Sequence, residues 1–294
     1  MGAIGYYLFY AVNWTITLLP MRILYLFSDF VYLIICYFPG YRKKVVRTNL
    51  KNSFPEKSEQ ELKSIERKFY HHFADLVVEI LAMTHLFKKQ LVKRVSVTNM
   101  ELLHRLYDEK RDVAVVVAHY GNWEWSNFIP TIIKHKMITV YKPLQNKHFD
   151  KFMNDIRLRY GVIMTPMSNV IRDVISYRKQ NIPILATFIS DQTPAITDIR
   201  YWTTFLNQDT PVFTGAEKIA AKYDMAVVFF NIEKIKRGYY NLDIQLLFEH
   251  SAGLPEHHIT DTHVKHLEKI ICEKPEYWLW SHKRWKHKRP LSNA

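Results

Sequence analysis

Arg111-Asp112-Val113-Ala114-Val115-Val116-Val117-Ala118-His119-Tyr120-Gly121-Asn122-Trp123-Glu124 is the stretch whose reading decides the fold. Apolar, mostly β-branched residues run without alternation from Val113 to Ala118, the pattern of a central parallel strand covered on both faces. A charged pair precedes the run and Gly121-Asn122 closes it. Asn122 has the side chain of a helix cap, so a helix over residues 123–135 is predicted to follow at once, with Glu124 in a first turn where the helix dipole favours a carboxylate. His119 then lies on the connecting loop, at the carboxyl end of the strand, where open α/β sheets bind their ligands.

A histidine and an acid so placed suit general base catalysis. A neutral imidazole takes a proton from a hydroxyl as that oxygen attacks an acyl carbon, and a carboxylate on the other ring nitrogen fixes the tautomer and stabilises the imidazolium. The predicted pair is His119 as base and Glu124 as its orienting carboxylate, with the nucleophile supplied by the substrate. Their spacing decides little by itself, because His104/Glu109 and His263/Glu268 repeat it. Those two pairs lie in lysine-rich helical stretches with no strand before them and are assigned to solvated faces.

Outward from this stretch, strand-like runs at 113–118, 137–141, 182–189, 226–232 and 240–247 alternate with helical patterns near 123–135, 146–160, 167–180, 214–223 and 259–273. Such alternation predicts an α/β fold with a mixed, mostly parallel sheet flanked by helices. Upstream, Leu62, Ile65, Phe69, Phe73, Leu76 and Ile80 form a helical stripe behind the cap candidate Ser58, which reads as scaffold.

Composition narrows the function. Only 8 glycines in 294 residues, with 48% hydrophobic and 14% aromatic side chains, exclude a disordered or loop-rich all-β chain. The net charge of +13 calls for an anionic partner, and the sequence has no groove-reading or stacking module that would make it nucleic acid. Cys36 and Cys272, the only cysteines, exclude a disulfide framework and a thiolate metal site. The cluster His250, His257, His258, His263, His266 and Asp261 matches no zinc spacing, and neither a metal nor a cofactor is expected.

Residues 1–21 carry no charge and spread Tyr6, Tyr7, Tyr10 and Trp14 through a stretch about as long as a bilayer-spanning helix, so a membrane anchor is predicted. A shorter apolar segment, Ile23 to Phe38, reads as an interfacial or domain-packed helix. The expected organisation is an anchor and interfacial helix over 1–40 and a catalytic domain over 41–294. Arg42-Lys43-Lys44 and Arg47 place the catalytic domain on the cytoplasmic side of the membrane by the positive-inside rule.

With His119 to Glu124 read as His-Tyr-Gly-Asn-Trp-Glu, further blocks fall into order: Asn49-Leu50 with Phe54-Pro55-Glu56, Lys142-Pro143 with Asn146, Arg159-Tyr160-Gly161, Ser190-Asp191-Gln192, Thr214-Gly215, and the run from Pro275 to Lys286. Over nearly its whole length the chain resembles the bacterial lipid A late acyltransferases, the lauroyl/myristoyl-transferase branch of the lysophospholipid acyltransferase superfamily. The resemblance implies transfer of an acyl chain from an acyl thioester, on acyl carrier protein or CoA, to a hydroxyl of a lipid A precursor at the bacterial inner membrane. A thioester is already activated, so one base and a stabilised oxyanion suffice.

Asn122, Lys142, Arg159, Asp191, Gln192 and Arg284 are the predicted substrate contacts. Arg159 presents a guanidinium fork to an oxyanion or phosphate and ranks above Arg157 by the resemblance; on charge alone a solvated helix end is the alternative. Asp191-Gln192 ends its strand as His119 ends the central one and is predicted to meet the acceptor, with a loop cap as the alternative. Trp278, Trp280 and Trp285 among Lys283, Arg284 and Lys286 are expected at headgroup level. The chain departs from the resemblance in lacking a glycine near Phe205-Leu206-Asn207. Open alternatives are an aminolipid, glycolipid or lysophospholipid acceptor and, in another class, a non-catalytic anionic-lipid-binding protein.

Overall fold

The computed structural model describes residues 2–37 and 40–290; Met1, Phe38-Pro39 at the end of the expected second apolar segment, and residues 291–294 lie outside them. In chain order the elements are α1 (Ala3–Ile16), α2 (Met21–Tyr37), α3 (Lys43–Ser53), α4 (Glu59–Ala82), α5 (Lys88–Val92), β1 (Val95–Thr98), α6 (Met100–Asp108) and β2 (Val113–Val117). A 3-10 helix (Trp123–Thr131), β3 (Lys136–Tyr141), α7 (Lys147–Leu158), β4 (Ile163–Pro166), α8 (Val170–Lys179) and β5 (Ile184–Ile189) follow. The last are β6 (Tyr201–Phe205), β7 (Gln208–Val212), α9 (Gly215–Tyr223), β8 (Ala226–Lys236), β9 (Tyr239–Phe248) and α10 (His258–Glu273).

One seven-stranded sheet runs in the order β1-β9-β8-β2-β5-β3-β4, and β6 pairs with β7 in a separate hairpin. Only β8 and β9 pair antiparallel in the large sheet, so it is mixed and mostly parallel. β2 is buried at every residue because alternate side chains enter two cores: Ala114 and Val116 on one face, Val113, Val115 and Val117 on the other. Ser58 caps α4 in a capping box with Glu61, as its spacing predicts.

Two expectations about helices are corrected. The helix after β2 is a 3-10 helix that ends at Thr131, since Pro130 lacks the N–H an α-helix needs and the Ser126 and Thr131 hydroxyls take the carbonyls three residues back. The predicted bilayer-spanning anchor is not supported either: among the described residues no helix is long and apolar enough to cross a membrane. α1 stops at Ile16, ahead of Pro20, and its 14 residues span roughly 21 Å against a hydrocarbon core of about 30 Å. It is held to the end of α4 by Asn13 Nδ2 donating to Thr84 and by Thr17 Oγ1 meeting His85 Nδ1. α2 carries Arg22 and Asp29 and packs on α4 through Ser28, which donates to Asp75.

The C-terminal segment after α10 is also unlike its expectation. Trp278 and Trp280 are buried rather than placed at a headgroup surface. The segment crosses the end of β2: Leu279 N donates to His119 O, Gly121 N to Tyr277 O, and Asn49 Nδ2 from α3 to the carbonyls of Trp280 and His282.

Candidate active site

β2 and β5 are neighbours in parallel register, Val113 opposite Leu185 through Val117 opposite Ile189. Carried two residues past the strand ends, that register sets His119 opposite Asp191. His119 Nδ1 lies 2.7 Å from Asp191 Oδ1, and the His119 backbone N–H donates to Asp191 Oδ2 at 3.0 Å. Trp278 Nε1 donates to the same Oδ2 at 2.8 Å. A carboxylate only accepts, so the ring carries its proton on Nδ1 and leaves Nε2 as a base. Burial pushes the Asp191 carboxyl up, but His119 and these hydrogen bonds outweigh it and hold the group below the usual carboxylate range. Gln192 Nε2 donates to His119 Nε2 at 3.1 Å, in the place where a substrate hydroxyl would give up its proton.

Directly after the histidine the chain turns through Gly121 at φ +59°, where a Cβ would stand 2.2 Å from Ile232 O on β8. Only glycine fits there. Asn122 then caps the 3-10 helix by accepting from Trp125 N. Its amide donates to Glu79, a wholly buried carboxylate on α4 that also accepts from Tyr25 and Tyr240 at 2.7 Å each. Asn122 has no exposed surface and is corrected from substrate contact to support of the turn.

Glu124 does not hold the His119 ring. Its carboxylate takes Arg157 Nε at 3.0 Å and Arg157 Nη2 at 2.5 Å, with Asn127 Nδ2 at 3.1 Å. Burial pushes Glu124 up, and the guanidinium more than offsets it, leaving the group ionised. The orienting carboxylate is Asp191, which register brings to the ring, whereas the 3-10 helix turns Glu124 to α7.

Arg157, ranked below Arg159 on sequence, is therefore the arginine of the site. Arg159, one residue past α7, donates to the carbonyls of Met83 and Thr84 at the end of α4 and caps that helix. The missed signal was periodic: Arg157 shares its face of α7 with Asp150, which lines the same cavity, and with Asn154, which donates to Asp150 and to Tyr141. Arg284, expected at an exposed lipid contact, is only 2% exposed. His263, assigned to a solvated face, is buried as well.

His119, Trp123, Glu124 and Arg157 open onto a cavity of about 400 Å³ at the carboxyl ends of β2, β3 and β5. Lys142 and Gln192 also line it, whereas Met137, Val140, Met167 and Phe188 supply apolar wall. It combines a base, a fixed cation and room for a hydrocarbon segment. The absent glycine of the β6–β7 turn has a structural counterpart: Leu206 and Asn207 both adopt left-handed backbone, φ +50° and +61°, as a two-residue primed turn requires. Burial of Leu206 offsets part of the strain.

No curated protein matches the chain. Residues 2–287, which include every residue of the dyad, the cavity and the C-terminal segment described above, match the family of bacterial lipid A biosynthesis acyltransferases, and the chain belongs to that family of acyltransferases.

Proposed function

We propose that the protein transfers a fatty acyl chain from an acyl thioester, carried by acyl carrier protein or CoA, to a hydroxyl of a lipid A precursor. The observation that carries this reading is the 2.7 Å contact of His119 Nδ1 with Asp191, which leaves Nε2 unprotonated beside a large, largely apolar-walled cavity. Nε2 takes the proton of the acceptor hydroxyl once that hydroxyl replaces the Gln192 amide. The oxygen attacks the thioester carbon, and the tetrahedral oxyanion collapses with loss of the thiolate, which recovers the proton from the imidazolium.

Glu124 contributes by fixing Arg157. With Nε and Nη2 engaged, the guanidinium keeps its Nη1 donors for an oxyanion or an acceptor phosphate. Lys142 on the same cavity adds a second cation, and the charge of +13 suits both an acidic carrier protein and a phosphorylated lipid.

The setting proposed is the cytoplasmic face of the bacterial inner membrane, with residues 1–40 lying on the bilayer and 41–294 forming the catalytic domain. Exposed Ile4, Leu8 and Leu18 at the first helix and Leu26, Phe30 and Leu33 on the second support attachment without a span.

Mass spectrometry of total lipids from cells with and without the gene tests the reading. Lipid A one acyl chain lighter in the deletion strain, restored by the wild-type gene but not by His119→Ala, is the expected result. Unchanged lipid A, or a chain lost from another lipid class, overturns the lipid A assignment.

A further inference from the structure

Behind the dyad, on the side of Asp191 away from the large cavity, a second hollow of about 10 Å³ is bounded by Ser190, Asp191, His263 and Arg284, with Val117 and Phe229 among its apolar neighbours. Three nitrogens of the residues that line it have no hydrogen-bond partner among the described residues: Arg284 Nε, Arg284 Nη1 and His263 Nε2. Arg284 makes no ion pair within 4.0 Å among the described residues, although its side chain is 2% exposed. A buried guanidinium in that state is costly, and its natural counter-charge is across the hollow.

We infer that Arg284 is a positioning residue of the His119–Asp191 dyad, acting through one ordered water that accepts from the guanidinium and donates to the Asp191 carboxylate. Three observations select water. The volume is that of about one water probe, and polar atoms converge on it, which are the two conditions for a buried water. Asp191 is already held by His119 Nδ1, His119 N and Trp278 Nε1, yet a carboxylate has about four acceptor sites, so one remains. A halide of similar size satisfies the arginine but meets the Asp191 charge, whereas water accepts on one side and donates on the other.

The arrangement has an electrostatic consequence. His263 is neutral in the working range, since burial pushes it down to about 4, and burial lowers Arg284 only to about 10, so the arginine keeps its charge. The second hollow thus holds one fixed positive charge against a carboxylate whose strength as an acceptor decides how firmly His119 keeps a proton. The other groups that face the ring are Glu124, neutralised by Arg157, and His282, itself pushed down to about 4 by burial. Arg284 therefore tempers the dyad, keeping the histidine free to accept a proton at lower pH than Asp191 alone permits.

The inference rests on His119 and Asp191 being the reactive pair, but its test does not use acyl transfer. The His119 ring is titrated by NMR in the wild type, Arg284→Gln and Arg284→Lys. Loss of the charge in Arg284→Gln moves the ring's titration midpoint up by about one pH unit, and Arg284→Lys stays with the wild type. A midpoint unchanged in Arg284→Gln, or moved equally by Lys, overturns the inference. Should the variants not fold, a high-resolution crystal structure of the wild type decides: density for a water between Arg284 and Asp191 supports it, and an empty hollow or a direct contact sinks it. Failure of the lipid A assay leaves both readouts intact.

Discussion

Two carboxylates near one histidine have been separated by what each touches. Asp191 bonds the His119 ring and accepts from the His119 backbone N–H, whereas Glu124 bonds Arg157. Asp191→Asn keeps the shape but offers the ring an ambiguous partner, and we expect kcat/KM to fall on the order of 10³-fold or more. Glu124→Gln leaves the dyad standing and strands a buried arginine, so it lowers stability by about 3–5 kcal/mol in urea titrations, while kcat/KM falls less than in Asp191→Asn. If Glu124→Gln costs more kcat/KM than Asp191→Asn does, the roles are reversed. At this scale the histidine was legible from the strand before it, and so was the convergence of Asp191-Gln192 on the same sheet edge. The identity of the orienting acid was not, because an offset along the chain says nothing about the direction in which the next turn sends a side chain. Register says it directly, and register becomes known only when β2 and β5 are paired.

The elements around the dyad are set by a few backbone constraints. Gly121→Ala would drive a Cβ into Ile232 O, and we expect a loss of roughly 3 kcal/mol or more, read as a fall in melting temperature, with the His119 loop displaced. Trp278→Phe fills nearly the same space but removes the indole donor to Asp191, for an expected cost of about 1.5–3 kcal/mol in denaturant unfolding. A cost near zero would mean that the indole hydrogen bond contributes nothing. Strands β2, β3, β5 and β8 were legible as apolar runs and β9 by its alternation of apolar and polar residues. β1, β4 and the β6–β7 pair were not, since four- and five-residue strands with half-buried or exposed positions lack a period to detect. The tryptophan-rich C-terminus misled for a related reason: aromatic and basic residues suit a lipid surface and a buried clamp equally, and only tertiary contacts choose between them.

For the whole molecule, buried neutral histidines tie stability to pH. Burial pushes His72 down to about 3 and His263 and His282 down to about 4, while the unfolded chain binds protons near 6.5. The contribution is complete above pH 6.5 and falls away as pH drops toward 4, because the unfolded state then takes up protons that the folded state refuses. Unfolding free energies from urea titrations should decline from pH 7 to pH 5 by on the order of 1–2 kcal/mol per histidine, and His72→Phe should flatten part of that slope. The apolar exteriors of α1 and α2 carry a separate expectation: Leu26→Asp with Phe30→Asp reduces co-sedimentation with anionic vesicles severalfold and leaves the fold intact. The path of the C-terminal segment adds a temporal constraint. Trp278 and Leu279 reach across the sheet to the ends of β5 and β2, and Trp278 does so from a separation of 87 residues, so the contacts that lock the dyad must close a long loop before they form. Closure of that loop thus acts as a timer, since the parallel strands can pair before it is made, but His119 and Asp191 gain their clamp only afterwards.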